Sequence, residues 1–403
     1  MKCPVQKQCG GCEFIGTSYP ETLHRKRKQV MRLYPDHPVE MVLGMEDPYH
    51  YRHKIYASFR RNKDGHLIAG LYEEGTHRLV STENCLIQNE TGNRIIRDFT
   101  EIADQLHLTA YHEDTGTGIL RHLYLRISHA DGSVLMVIVT GTRELPGSKK
   151  LISMLRKIHP EITSICHSQN HRRTSMVLGD RDRVLYGPGC IHDSILNISF
   201  RISSRSFFQV NPVQTEVLYQ TALALADLSD TDEVLDLFCG IGTISLLAAR
   251  LAKHVTGVEI VPQAIRDAIH NAKENAIRNV SFICADAEQY LSSRHIRPDV
   301  VITDPPRSGM GVKASHAVAS FQAERIVYVS CNPETQKEDC KVLESHGYRI
   351  QKIVPVDMFC FTRSIETVVC LSNKNAKPRD YVEIGVDAED YYRIKDSENK
   401  KGK

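Results

Sequence analysis

VLDLFCGIGTIS, residues 234–245, runs from a hydrophobic stretch of strand character into Gly240-x-Gly242 and then opens the helical pattern ISLLAARLA. Glycines at such a turn let the backbone come close to a ligand at the carboxyl edge of a sheet. The position three beyond Gly242 is Ser245, so the full GxGxxG of a pyrophosphate site is not met. Outward from this turn, PVQTEVLYQTALALADL (212–228) reads as a helix with Pro212 in its first turn. VTGVE (255–259), a helix over about 262–276, VSFICAD (280–286), DVVITDPP (299–306) and RIVYVSCNP (325–333) continue an alternation of strands and helices. That alternation predicts an α/β class: an open, mostly parallel, Rossmann-like sheet with helices on both faces.

The strand ends carry polar groups in order. Glu259 closes the strand after the glycine turn, where a carboxylate can bind two ribose hydroxyls. Asp286 closes the next and can reach an adenine amine or a loop amide. Either acid could instead cap the helix that follows. Together they fit a nucleoside cofactor without a pyrophosphate, such as S-adenosylmethionine. In DPPRSGM (304–310) two prolines fix the backbone so that Asp304 faces the same crevice, where it can read an amide-like array. Cys331, in YVSCNP, lies at the next strand end. A core cysteine belongs inside a strand, and metal ligation needs partners at short spacing. A nucleophile held by Asn332-Pro333 fits best, and its thiol pKa would need to be depressed locally.

With 403 residues, 41% hydrophobic and 25% charged, the chain has room for two or three domains with real cores. No apolar run approaches a membrane span, and MKCPVQKQCGGC has no apolar leader, so a cytoplasmic protein without a membrane partner is expected. Twelve cysteines there are thiols, ligands or core residues rather than disulfides. The net charge of +2 announces no polyanionic partner, yet HRKRKQVMR (24–32) and HRRTSMVLGDRDR (171–183) are locally basic. They read equally as solvated faces or as nucleic-acid contacts. Short strands with turns such as Asp131-Gly132 make the first half an antiparallel α+β region, with residues near 190–205 joining the halves. The expected organisation is 1–200 for the α+β region, 201–375 for the α/β domain and 376–403 for a tail. Near the start, Cys3, Cys9 and Cys12, with the distant Cys85, could converge on zinc or on an iron–sulfur cluster.

SFFQVNP (206–212), VLDLFCGIGT, DPPRSG, YVSCNP and FTRSIETVV (361–369) occur in the order found in RNA 5-methyluridine methyltransferases, and the chain resembles that family from Cys3 to about Cys370. The resemblance implies methyl transfer from S-adenosylmethionine to carbon 5 of a uridine in RNA. It implies Cys331 as the nucleophile that adds to uracil carbon 6 and Glu366 as the base that removes the carbon 5 proton. It places Gln209, Phe238, Thr243, Glu259 and Asp304 at the cofactor, with Gly240 added from the glycine-turn reading and Asp286 from the strand-end reading. Thr243 stands where much of the family has asparagine. The resemblance favours a [4Fe–4S] cluster on Cys3, Cys9, Cys12 and Cys85. It also implies 23S rRNA as the substrate, with tRNA as the alternative. The OB-like domain that many relatives carry ahead of the cysteines is expected to be missing, and a monomer is expected. One motif departs. The family's Phe-Pro-x-Thr-x-His-Val-Glu reads here Phe359-Cys360-Phe361-Thr362-Arg363-Ser364-Ile365-Glu366, without the proline and the histidine. A methyltransferase for small molecules or proteins would not need the covalent thiol, and a non-catalytic RNA-binding iron–sulfur protein would not need Cys331, Glu366 and Asp304 together.

Overall fold

The computed structural model describes residues 2–374 apart from 74, 77, 173–175 and 294–296. The tail expected at 376–403 lies outside the described residues. Two seven-stranded sheets and a two-stranded hairpin make up the β structure among the described residues. The first sheet runs from Lys54–Arg61 to Asp182–Tyr186 and is antiparallel except where Val134–Thr140 pairs with Ile162–Gln169. The helix Ser148–Ile158 makes that one crossover. Strand Val134–Thr140 is buried along its whole length, as its unbroken apolar run requires.

The second sheet is the one whose pattern begins at the glycine turn. In spatial order its strands are Val280–Cys284, His254–Glu259, Glu233–Leu237, Val300–Thr303, Arg325–Ser330, Glu366–Asn373 and Tyr348–Val356. The first five are parallel, and the last two pair antiparallel. From Glu233–Leu237 the chain winds outward twice, then returns to Val300–Thr303 on the other side. The order reverses between those two strands, and ligands of such sheets bind outside the carboxyl ends at that reversal. Phe238 and Asp304 occupy those ends, with the Asp304 amide donating to the Leu237 carbonyl at 3.4 Å. Inserting Glu366–Asn373 between its neighbours aligns Thr367 with Ser330 and so brings Glu366 beside Cys331.

Two segments bear on the sequence expectations. Residues near 190–205, expected to join the halves, are themselves structured. Cys190–Ile195 and Ile198–Ser203 form a hairpin, and Asn271 of helix Pro262–Glu274 and Asn275 at its C-terminal cap accept from the Arg201 and Ser199 amides. Its Ile191, Ile198 and Phe200 share one core with Leu135 and Val137 of the first sheet and Val234 and Ile302 of the second. The basic stretch 24–32 belongs to helix Tyr19–Leu33, and that helix packs on the second sheet rather than with the α+β region. Val30 and Tyr34, one helical turn apart, bury with Val39 and Val42 against Ile353 and Leu371. Residues 39 and 43 then run beside Ile353 and Val356. Lys26 is fully buried, and Arg27 donates to the Val39 and Glu40 carbonyls. Part of this charge run is therefore internal scaffold, not a free surface for a polyanion.

Candidate active site

The turn after Glu233–Leu237 holds Phe238, Gly240 and Gly242 at φ of 63°, 56° and 82°. A Cβ on Gly242 would sit 2.9 Å from the Phe282 ring, whereas nothing stands within 4 Å of one built on Gly240. Gly242 thus serves close packing on the next strand, and Gly240 borders open space in the crevice. The Gly240 amide donates to Glu259 Oε2 at 3.2 Å and the Val261 amide to Oε1 at 2.9 Å. Glu259 is therefore fixed at the mouth of the turn with its remaining lone pairs free for a diol. Asp286 accepts from the Gln289 amide at 3.2 Å, so it caps the helix Ala287–Ser293 from the adjacent strand end. Thr243 Oγ1 donates to the Tyr219 hydroxyl at 3.3 Å, and Gln209 reaches the same hydroxyl. Tyr219 had no signal in the sequence beyond its place in an apolar helix.

Across the reversal, Asp304, Glu366 and Cys331 share one field. Burial raises Asp304 to about 7. Burial, then the Asp304 charge, raises Glu366 to about 8. Burial also raises Asp236, under the glycine turn, to about 7 against the opposing Ser245 hydroxyl bond of 2.5 Å, and its Oδ1 has no partner. The crevice is thus an acidic, poorly neutralised site, suited to a cationic ligand. The thiol of Cys331 is pushed up to about 11 by burial, then by Glu366 and Asp304, with Arg307 opposing them. This corrects the expected depression. Burial and the charges of two carboxylates raise the thiol, and one exposed guanidinium does not outweigh them.

The residues after Cys331 explain its placement. Asn332 caps the helix Pro333–Ser345, accepting from the Glu334 amide at 3.2 Å, with Pro333 at the first helical position. Asn332 Nδ2 also donates to the Arg307 carbonyl at 3.0 Å. Asp339 of the same helix accepts from the Met310 and Gly311 amides. The Asp304 loop and the cysteine are therefore fastened to one helix.

Away from this crevice, Cys3, Cys9, Cys12 and Cys85 line one cavity of about 190 Å³. Burial and the neighbouring cysteines, Cys85 first, raise Cys12 to about 12. Among the described residues no three Cys, His, Asp or Glu side chains close tightly enough for a single metal ion. The fold thus sets Asp304, Cys331 and Glu366 on the sheet edge that carries the glycine turn, and the four early cysteines line a cavity of their own.

The family profile described as tRNA (Uracil-5-)-methyltransferase matches residues 190–374. An uncharacterised RNA methyltransferase of Halalkalibacterium halodurans is 42% identical over 93% of this chain and 83% of its own length. One from Bacillus cereus is 41% identical over 92% and 82%. The tRNA (uracil-54, C5)-methyltransferase of Pyrococcus abyssi, solved with S-adenosyl-L-homocysteine, superposes with a TM-score of 0.76 at 26% identity, covering 92% of this chain and 87% of that one. Sheet order, crevice and relatives together define an S-adenosylmethionine-dependent RNA methyltransferase. Within that class, the chain belongs to the RNA uracil-5-methyltransferase family. No helix among the described residues is long and apolar enough to cross a membrane.

Proposed function

We propose that this protein methylates carbon 5 of a uridine in RNA, using Cys331 and Glu366 as nucleophile and base. The observation that carries the reading is the placement of both groups, with Asp304, on neighbouring strand ends at the sheet reversal. Carbon 5 of uracil is too weak a nucleophile alone. Addition of the Cys331 thiolate to carbon 6 pushes an electron pair towards carbon 5 and oxygen 4, and carbon 5 then takes the methyl group. Glu366 accepts the carbon 5 proton, the carbon 5–carbon 6 double bond reforms, and the thiolate leaves. S-adenosylmethionine, when bound, supplies the methyl on a cationic sulfonium.

The residues present fit that cofactor. Glu259 is preset for a ribose diol, Gly240 leaves open space, and Asp304 with Asp236 offers uncompensated negative charge to a cation. Gln209, Phe238, Thr243 and Asp286 border the same turn or its neighbouring strand end. Their roles at the cofactor belong to this proposal. For the RNA, Phe207 is 63% exposed beside Gln209 whereas Phe208 is buried. The Phe207 ring stands 5.6 Å from the Lys54 ammonium, which pairs a stacking surface with a cation.

The four early cysteines fit a [4Fe–4S] cluster better than one zinc ion, because they surround a cavity instead of closing on a point. With the cluster, 23S rRNA is the substrate we favour. Likeness to the Pyrococcus tRNA enzyme supports tRNA as the second reading. Mapping 5-methyluridine in 23S rRNA and in tRNA from cells with and without the gene decides between them. RNA containing 5-fluorouridine tests the chemistry, since a protein–RNA adduct should persist under denaturing conditions. Absence of an adduct with both RNAs, or its survival in Cys331→Ala, would remove the reading.

A further inference from the structure

We propose that Lys26, far from the crevice in sequence, positions Glu366 for removal of the carbon 5 proton; the proposal rests on the reading of Glu366 as the base. Strand Tyr348–Val356 ends one residue before Asp357, and Glu366 opens the next strand. The connection between them is the segment in which the family's proline and histidine are replaced. One buried ammonium ties it together. Lys26 Nζ donates to Asp357 Oδ1 at 2.5 Å, to the Phe359 carbonyl at 3.0 Å and to the Ser364 carbonyl at 2.7 Å. An ammonium has three protons to give, and these three acceptors use them all.

Those acceptors span the connection from its first residue to within two residues of Glu366. Both side chains of the ion pair are wholly excluded from solvent. Asp357 also accepts from the Tyr19 hydroxyl at 2.8 Å, on the same helix as Lys26. The connection contains Phe361 at φ 62°, a conformation costly for an aromatic residue unless its surroundings impose it. The Phe14 amide and the Tyr51 hydroxyl bind the Phe361 and Cys360 carbonyls, but neither reaches the side next to Glu366. Lys26 does, through Ser364. The buried cation thus supplies from another helix a restraint beside the base.

A carboxylate that must meet a single proton loses rate steeply when displaced, roughly tenfold to a hundredfold for shifts of about 1 Å. Thiol addition and methyl capture do not use Glu366 as an acceptor, so release is the step that should suffer. The test is single turnover with tritiated-methyl S-adenosylmethionine and unmodified RNA from a strain lacking the gene. Label is followed on denaturing gels as protein–RNA adduct and as free RNA. Lys26→Met should accumulate labelled adduct, with release slowed roughly tenfold to a hundredfold and adduct formation held within about threefold. The double variant with Glu366→Gln should release no more slowly than Glu366→Gln alone. A purely structural role would instead lower the amplitude of the turnover and leave the release rate unchanged. That result, or adduct formation falling in step with release, overturns the proposal. If Lys26→Met does not fold, Asp357→Asn removes the charge pair while leaving both carbonyl bonds, and the same expectation applies to it. Glu366→Gln in the otherwise native chain separates the two readings. If it accumulates no adduct, the base assignment fails; if it does and both loop variants do not, only the role of Lys26 fails.

Discussion

A thiol pushed up to about 11 makes a sharp expectation for the ligand-free enzyme. At pH 8 about one Cys331 in a thousand is ionised, against roughly a quarter of an ordinary thiol with pKa near 8.5. The more basic thiolate is intrinsically more nucleophilic, which restores about one decade. Iodoacetamide should therefore alkylate Cys331 roughly ten to twenty times more slowly than an unperturbed thiol at that pH. A short unstructured cysteine peptide added to the same reaction is the reference, with both thiols quantified by mass spectrometry across pH. The cause is testable as well, because Glu366 and Asp304 lift the thiol by their charge. S-adenosylmethionine and S-adenosylhomocysteine differ by one methyl group and the sulfonium charge that it creates. A unit charge in such a site moves a neighbouring pKa by about one to two pH units. Saturating S-adenosylmethionine should lower the Cys331 midpoint by about that much more than its neutral product does. A ligand-free midpoint at or below that of the reference peptide, or equal midpoints with the two ligands, refutes this account of the crevice.

Other consequences are direct. Glu366 holds its proton to about 8 when folded, well above its pKa in the unfolded chain. Its contribution to stability is therefore complete below about pH 4.5 and is lost as pH rises through 8. Without ligand, Glu366→Gln should be more stable than wild type by on the order of 3–5 kcal/mol at pH 8.5 and by under about 1 kcal/mol at pH 5, by denaturant melts. Equal stability differences at both pH values count against the burial. Phe207→Ala should weaken RNA binding roughly five- to hundredfold with the melt unchanged, as loss of one stacked base predicts. Lys54 is lowered to about 8 by burial, then by Arg126 and Arg52. Its contribution to RNA affinity should fade above pH 8, and Lys54→Met should cut the salt dependence by about one counterion. Unchanged binding in both variants would move the RNA path elsewhere. Cys85→Ser should lose iron from anaerobically purified protein and lower the melting point; stoichiometric zinc in the wild type would exclude the cluster.

The crevice was legible because each part is written locally. A glycine turn, an acid at a strand end and a Cys-Asn-Pro are each a few residues long, and strand alternation places such ends on one sheet edge. The pairing that seats Glu366–Asn373 beside Cys331 is not local, and Glu366 was reached only through the family's motif. Burial is likewise invisible in a charge run. HRKRKQVMR reads as a solvated face, yet its Lys26 is as buried as any core residue because Asp357, more than three hundred positions away, neutralises it. An isolated buried ammonium is costly, and this one is tolerated only with a carboxylate and two carbonyls around it. The same distance effect inverted the expectation for Cys331. Residue type and strand position mark Cys331 as the proposed nucleophile, whereas its ionisation is set first by burial and then by charges that the fold brings in from positions 366 and 304. A site that folds with its thiol protonated and its carboxyls crowded should react faster once a cation enters. On that reasoning, the proposed nucleophile Cys331 rests largely protonated in the ligand-free crevice and gains thiolate when a sulfonium enters, which the alkylation comparison with the two ligands checks.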